Sequence, residues 1–144
     1  MLVSLTLARR EVPALIALRL FLPGSWTCDP ARLDKAGVPD AWRAHRTKPE
    51  TALAEIDRAM AAGVRFRAVL ADAGYGVSAP FRRGLSEHGL AWAVGVPRHL
   101  KVYPPDVALI PPPPGPGRRR RRLHTPDRVS APAEEVLAGA EWER

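Results

Sequence analysis

Cysteine is almost absent: Cys28 is the only one in 144 residues. One thiol forms no intramolecular disulfide and no cysteine-rich metal site, which excludes a stapled secreted scaffold and a structural zinc module. Aromatic residues are scarce, at 6%. Long apolar runs are missing too. The best stretch, Ala14 to Leu22, is interrupted by Arg19 and falls short of the ~18 residues that span a bilayer. The N-terminus lacks the charged, apolar, then small-residue order of a secretory signal. No membrane partner is therefore expected, and a reducing cytoplasm fits the cysteine usage. The nucleotide cradles Gly-x-x-x-x-Gly-Lys-Ser/Thr and Gly-x-Gly-x-x-Gly do not occur. Acidic residues are outnumbered, 15 against 22 basic ones, for a net charge of +7. That excess makes a polyanion, nucleic acid first, the partner to consider.

The length suits one domain with one sizeable core. Composition divides the chain near Leu100. Residues 101–144 hold nine of the 16 prolines, and Pro111 to Gly117 suits neither a helix nor a central strand. Arg118, Arg119, Arg120, Arg121 and Arg122 follow directly. The expected organisation is a folded part over 1–100, a Pro/Arg-rich linker or insertion over 101–131, and a short, helical C-terminal element over 132–144. Residues 1–100 carry 14 basic and 9 acidic side chains, so most of the excess charge lies on the folded part.

Leu2 to Leu7 alternates Leu2, Ser4 and Thr6 with Val3, Leu5 and Leu7, the pattern of a half-buried strand. Ala8 to Glu11 suits a turn, and Val12 to Leu22 a second strand, together an antiparallel hairpin. Asp29-Pro30 starts a short helix that Gly37 ends. Thr47-Lys48-Pro49-Glu50 is a capping box for a helix over about Lys48 to Ala62, with Leu53, Ile56 and Met60 at helical spacing. Phe66 to Ala71 predicts a strand, Gly74 to Gly76 a flexible loop around Tyr75, and Ser78 the cap of another helix facing the core with Phe81 and Leu85. Ala91 to Val96 predicts the next strand. Strand, helix and strand in about 30 residues make a βαβ crossover with parallel strands.

In such sheets ligands gather at the carboxyl ends of the strands. Asp72 stands there, in Val69-Leu70-Ala71-Asp72-Ala73-Gly74-Tyr75-Gly76. A carboxylate held on one side and open on the other suits Mg²⁺. A helix-cap or turn aspartate explains the same residue. The Gly-x-Gly of Gly74 and Gly76 is compatible with phosphate binding. His45, His88, His99 and His124 do not share a metal-binding spacing and suit surface or linker positions. Cys28 reads as a buried structural thiol, and Trp26, Trp42 and Trp92 as packing residues. Arg118 to Arg122 suit phosphate contacts, or a solvated charge run.

Several stretches in order resemble bacterial insertion-sequence transposases of the DDE type, the DDE superfamily endonucleases. They are Val3-Ser4-Leu5-Thr6-Leu7-Ala8, Leu20-Phe21-Leu22-Pro23-Gly24-Ser25-Trp26-Thr27, Ala36-Gly37-Val38-Pro39, Thr47-Lys48-Pro49-Glu50, Ala71-Asp72-Ala73-Gly74-Tyr75-Gly76 and Val94-Gly95-Val96-Pro97-Arg98. The resemblance covers about residues 1–110. It implies a ribonuclease H-like mixed α/β sheet. It also implies three carboxylates holding two Mg²⁺ or Mn²⁺ ions for attack on a DNA phosphodiester, with transposon ends and target DNA as partners. Asp72 matches the second aspartate of the set.

The departures from the family pattern carry their own expectations. The first aspartate belongs to a strand before the hairpin, and the glutamate to a late helix. Glu134, Glu135, Glu141 and Glu143 do not stand in that helix's motif. The resemblance therefore implies an incomplete domain, a hairpin plus a βαβ crossover without the first central strand. Such an internal fragment is expected to be inactive alone, marginally stable, and without a tightly held metal. Two rivals remain open: a basic, non-enzymatic nucleic-acid-binding module, and a small intact α/β enzyme with a phosphate-bearing substrate at Gly74 to Ser78.

Overall fold

The computed structural model describes residues 1–111 and 124–140. Arg118 to Arg122, Glu141 and Glu143 lie outside the described residues. Two compact units are formed, Met1–Gly95 and Val96–Arg144.

The first unit opens with the hairpin. β1 (Leu2–Arg9) pairs antiparallel with β2 (Val12–Leu20) through a two-residue turn, Arg10-Glu11. Arg10 takes φ +57°, the positive value that short hairpin turns require and that a non-glycine residue adopts at some cost. The register slips by one between Leu5 and Thr6, which leaves Ile16 as the extra residue of a β-bulge. The alternation read in β1 holds: Val3 is buried, Leu5 and Leu7 half-buried, and Leu2, Ser4 and Thr6 exposed.

Two short helices follow, α1 (Gly24–Thr27) and α2 (Pro30–Lys35). The Asp29 side chain caps α2 by accepting from the Arg32 N–H. A single 3-10 turn covers Asp40–Trp42. α3 (Lys48–Ala61) starts at the expected capping box, with Thr47 and Glu50 bonding each other's backbone N–H. Gly63 ends it at φ +83°, while the Gly63 and Val64 amides bond back to Met60 and Ala59 in a Schellman closure.

The crossover comes next. β3 (Ala68–Ala71) runs parallel to β4 (Ala91–Val94), with Val69 opposite Trp92. Between them lie α4 (Ala73–Gly76) and α5 (Ala79–Glu87). The expected flexible loop around Tyr75 is thus a helical turn. Asp72 caps that turn, which converts a Gly-rich stretch into a hydrogen-bonded unit.

The core gathers Ile56 of α3, Phe81 and Leu85 of α5 and Val69 of β3. Leu5 of the hairpin packs against the same cluster, so α3 joins the two sheets into one unit. Of the residues at helical spacing, Ile56 is buried and Met60 is 36% exposed, while Glu55 and Ala59 take the other buried positions. The hairpin and the β3–β4 pair are separate two-stranded sheets.

In the second unit, β5 (Lys101–Val102) pairs with β8 (Ala131–Pro132), and β6 (Leu109–Ile110) with β7 (Thr125–Pro126), both antiparallel. α6 (Ala133–Ala138) follows β8. An Arg128–Asp106 ion pair at 3.0 Å joins the segments that flank β6 and β7. No helix among the described residues is long and apolar enough to cross a membrane.

Candidate active site around Asp72

Asp72 ends β3 and begins α4, so one residue belongs to both a strand terminus and a helix start. Its Oδ1 accepts the Gly74 N–H at 2.8 Å. Its carbonyl accepts the Tyr75 and Gly76 amides, each at 3.1 Å. The carboxylate is exposed, and among the described residues Gly74 is its only hydrogen-bond donor. Local chemistry therefore fixes one oxygen by capping and leaves the other facing solvent.

The glycines of this turn serve close packing. A β-carbon on Gly76 would overlap the Gly95 carbonyl oxygen and approach Val94 Cγ2. A β-carbon on Gly95 would lie 2.9 Å from the Ala73 nitrogen. Gly95 in turn donates to the Ala71 carbonyl at 2.9 Å, extending the parallel ladder past β4. The turn is therefore pressed against the end of the neighbouring strand. The phosphate-loop reading of Gly74 and Gly76 gains no support from this contact, because the Gly76 position faces backbone.

Tyr75 packs its ring against Phe81, centroid to centroid 5.6 Å. Burial raises the phenol above its ordinary value of 10.0, and the nearby Asp72 charge raises it further. Arg82 of α5 donates from Nη1 to the carbonyl of Gly76, the last residue of α4. Asp72 was singled out by the sequence reading. Arg82 was not, because its partner belongs to a different helix.

A second charged cluster was also missed. Glu55 is 3% exposed and binds two arginines, Arg19 of β2 and Arg58 one turn along α3 at 2.8 Å. Burial alone would raise its pKa, but the hydrogen bonds from Arg19 and Arg58 outweigh it and hold the carboxyl below its ordinary 4.5. Arg19 also lies over the Trp42 ring at 4.3 Å. These groups border a cleft of about 310 Å³ lined mainly by Leu18, Leu20, Val38, Pro39 and Ala54.

Other expected side chains lie apart from Asp72 chemistry. Cys28 is exposed, a correction to the buried reading: it caps the C-terminal end of α1, outside the contact that buries Leu33 of α2. Trp26, Trp42 and Trp92 do not reach the core. Trp26 carries Arg32 at 3.9 Å, Trp42 carries Arg19, and Trp92 donates to Ser86 Oγ at 3.0 Å. His88 pairs with Asp57 at 2.6 Å, joining α5 to α3. His45, His99 and His124 are exposed.

Among the described residues, no three His, Cys, Asp or Glu side chains converge where a metal ion would sit. Asp72 supplies one hard oxygen ligand. The described residues do not by themselves complete a divalent-metal site.

No curated protein and no solved structure matches the chain. A family model does, and its match runs from residue 1 to 144, beyond the ~110 residues that carried the resemblance. The family is described as DDE superfamily endonuclease, and the chain belongs to it.

Proposed function

We propose that this chain is part of the catalytic core of an insertion-sequence transposase that cuts and joins DNA, and that Asp72 is the second acidic residue of its catalytic set. The observation that carries this reading is the position of Asp72. It is an exposed carboxylate at the carboxyl end of a parallel strand, with one oxygen not committed to the fold, in a chain of the endonuclease family. Asp72, together with partner carboxylates, would hold Mg²⁺ or Mn²⁺, which would supply Lewis-acid activation at a DNA phosphodiester. Residues 1–144 alone are inactive in this reading, because Asp72 needs partner carboxylates from outside the described set.

The two separate sheets fit the same reading. Among the described residues β1 and β3 each pair with one strand only; α3 packs on β1, and its Ile56 shares the core cluster with Val69 of β3. A further strand between them would complete a ribonuclease H-like sheet and bring a second carboxylate beside Asp72. Purified residues 1–144 should then unfold at low temperature or aggregate. A cooperative transition at high temperature would overturn the incompleteness.

A Mg²⁺- or Mn²⁺-dependent nicking assay tests the function. The expected result is no cleavage by residues 1–144. Cleavage that disappears in Asp72→Ala would overturn the inactivity. Coding sequence on either side of this segment, bearing an aspartate strand and a glutamate helix, would identify the longer gene.

The net charge of +7 favours one other reading, a basic module that binds nucleic acid without cutting it. In a longer protein that restores the sheet, Asp72→Asn would abolish cleavage under the first reading and change nothing under the second.

A further inference from the structure

We infer that Arg82 is a positioning residue that holds the Asp72 turn in place, a role that deepens and rests on the catalytic reading of Asp72. A single helical turn leaves its last carbonyls without chain partners. Gly76 is buried, so water does not readily take that place. Arg82, half-buried on the first turns of α5, supplies the donor by reaching back to the Gly76 carbonyl. The other end of the same turn is closed by Asp72, whose carbonyl accepts the Gly76 amide at 3.1 Å and whose Oδ1 accepts the Gly74 amide at 2.8 Å.

The turn is thus held at three points. Asp72 closes its start, Arg82 its end, and Gly95 blocks it from the β4 side. Freed from Arg82, the Gly76–Val77 peptide can rotate, the end of the turn frays at Gly76, and the Gly76 N–H bond to the Asp72 carbonyl loosens with it. The direction of the uncommitted Asp72 oxygen then loosens too. A carboxylate ligand must be held within about half an ångström of its working position, which is what such supporting bonds provide.

Amide hydrogen exchange on residues 1–144, kept dilute and below their unfolding temperature, tests the role. In Arg82→Met, which keeps the aliphatic stem and removes the donor, exchange at Gly74 and Gly76 should accelerate about tenfold, while Ile56 in the core stays unchanged. Arg82→Lys, which restores a donor, should recover most of the wild-type protection. Equal acceleration at Gly76 and Ile56, or no change at Gly76, would overturn the proposal. If Arg82→Met does not fold, Arg82→Leu is read beside Arg82→Lys: acceleration at Gly76 in Arg82→Leu but not in Arg82→Lys supports the role, and its absence in Arg82→Leu overturns it. The catalytic reading has its own arm. Added Mn²⁺ should broaden the Gly74 amide signal in the wild type and not in Asp72→Asn. Absence of that broadening would remove Asp72 as a ligand, while the exchange data still decide Arg82.

Discussion

Gly76 and Gly95 touch where side chains would stand: a β-carbon on Gly76 would overlap the Gly95 carbonyl oxygen. The contact joins the turn after β3 to the residue after β4, so the two ends of the parallel pair are locked together. Backbone has little room to give, and the overlap is with backbone. Gly76→Ala should therefore cost about 3 kcal/mol. Gly74→Ala meets only the Asp72 carboxylate, 3.0 Å away, which can turn aside at about 1 kcal/mol or less. Urea denaturation of the two variants checks the difference. Equal, small effects would mean that the turn is not pressed against β4.

Much of this region was legible in the sequence because its signals are local. Asp29, Thr47 and Ser78 cap the helices that their positions announced, since each cap bond spans only three residues. The parallel pair followed from a strand, helix and strand of suitable length. Gly76 was read as a source of flexibility because its reason, Gly95, lies 19 residues away. Glu55 was passed over for the same cause: its partner Arg19 is 36 residues distant and on a strand. For the site, spacing alone left Asp72 divided between cap and ligand, and the cap is now seen in full. A ligand role depends on groups that no local pattern contains.

Glu55 makes stability depend on pH. Its carboxyl is held below 4.5 in the folded chain, so the ionised form is favoured there relative to the unfolded chain. Its contribution is complete above 4.5 and is lost as the pH falls through the lower folded value. Glu50 acts in the same direction through its hydrogen bonds to the Thr47 backbone and side chain. Thermal stability should fall from about pH 5 to about pH 3, and Glu55→Gln should flatten that dependence. An unchanged slope in Glu55→Gln would assign the acid sensitivity elsewhere.

Breaking the pair from the other side should be costly. Arg19→Met leaves the buried Glu55 carboxylate with Arg58 alone and removes the cation over Trp42. Full burial of both partners would suggest 3–5 kcal/mol, but the Arg19 side chain is 31% exposed, so about 2 kcal/mol is expected. Arg19→Met and Glu55→Gln together should cost less than the two changes summed, as a double-mutant cycle by urea denaturation would show.

Under the proposed catalytic reading Asp72 has two separable duties, the helix cap that is seen and a metal ligand. Asparagine caps helices as well as aspartate does, so Asp72→Asn should change stability by less than about 0.5 kcal/mol. Asp72→Ala removes the acceptor for the Gly74 amide and should cost about 1 kcal/mol. Both remove a carboxylate. Chemical denaturation beside Mn²⁺ broadening then separates the duties: Asp72→Asn keeps the fold's cap and loses the metal response. A large stability loss in Asp72→Asn would mean that the charge itself supports the turn.

The positive charge predicts how DNA binding responds to salt. Each arginine that neutralises a phosphate releases a counterion, and the logarithm of affinity falls with the logarithm of salt by about 0.9 per contact. Residues 118–122 are five consecutive arginines. If all five grip phosphates, replacing them with glutamine lowers the slope by about 4.5. The remaining excess sits on residues 1–100, so binding should persist with a shallower slope. Fluorescence anisotropy with a labelled duplex at several salt concentrations measures both slopes. Identical slopes for the two proteins would show that the arginine run makes no phosphate contacts and that residues 1–100 hold the DNA alone.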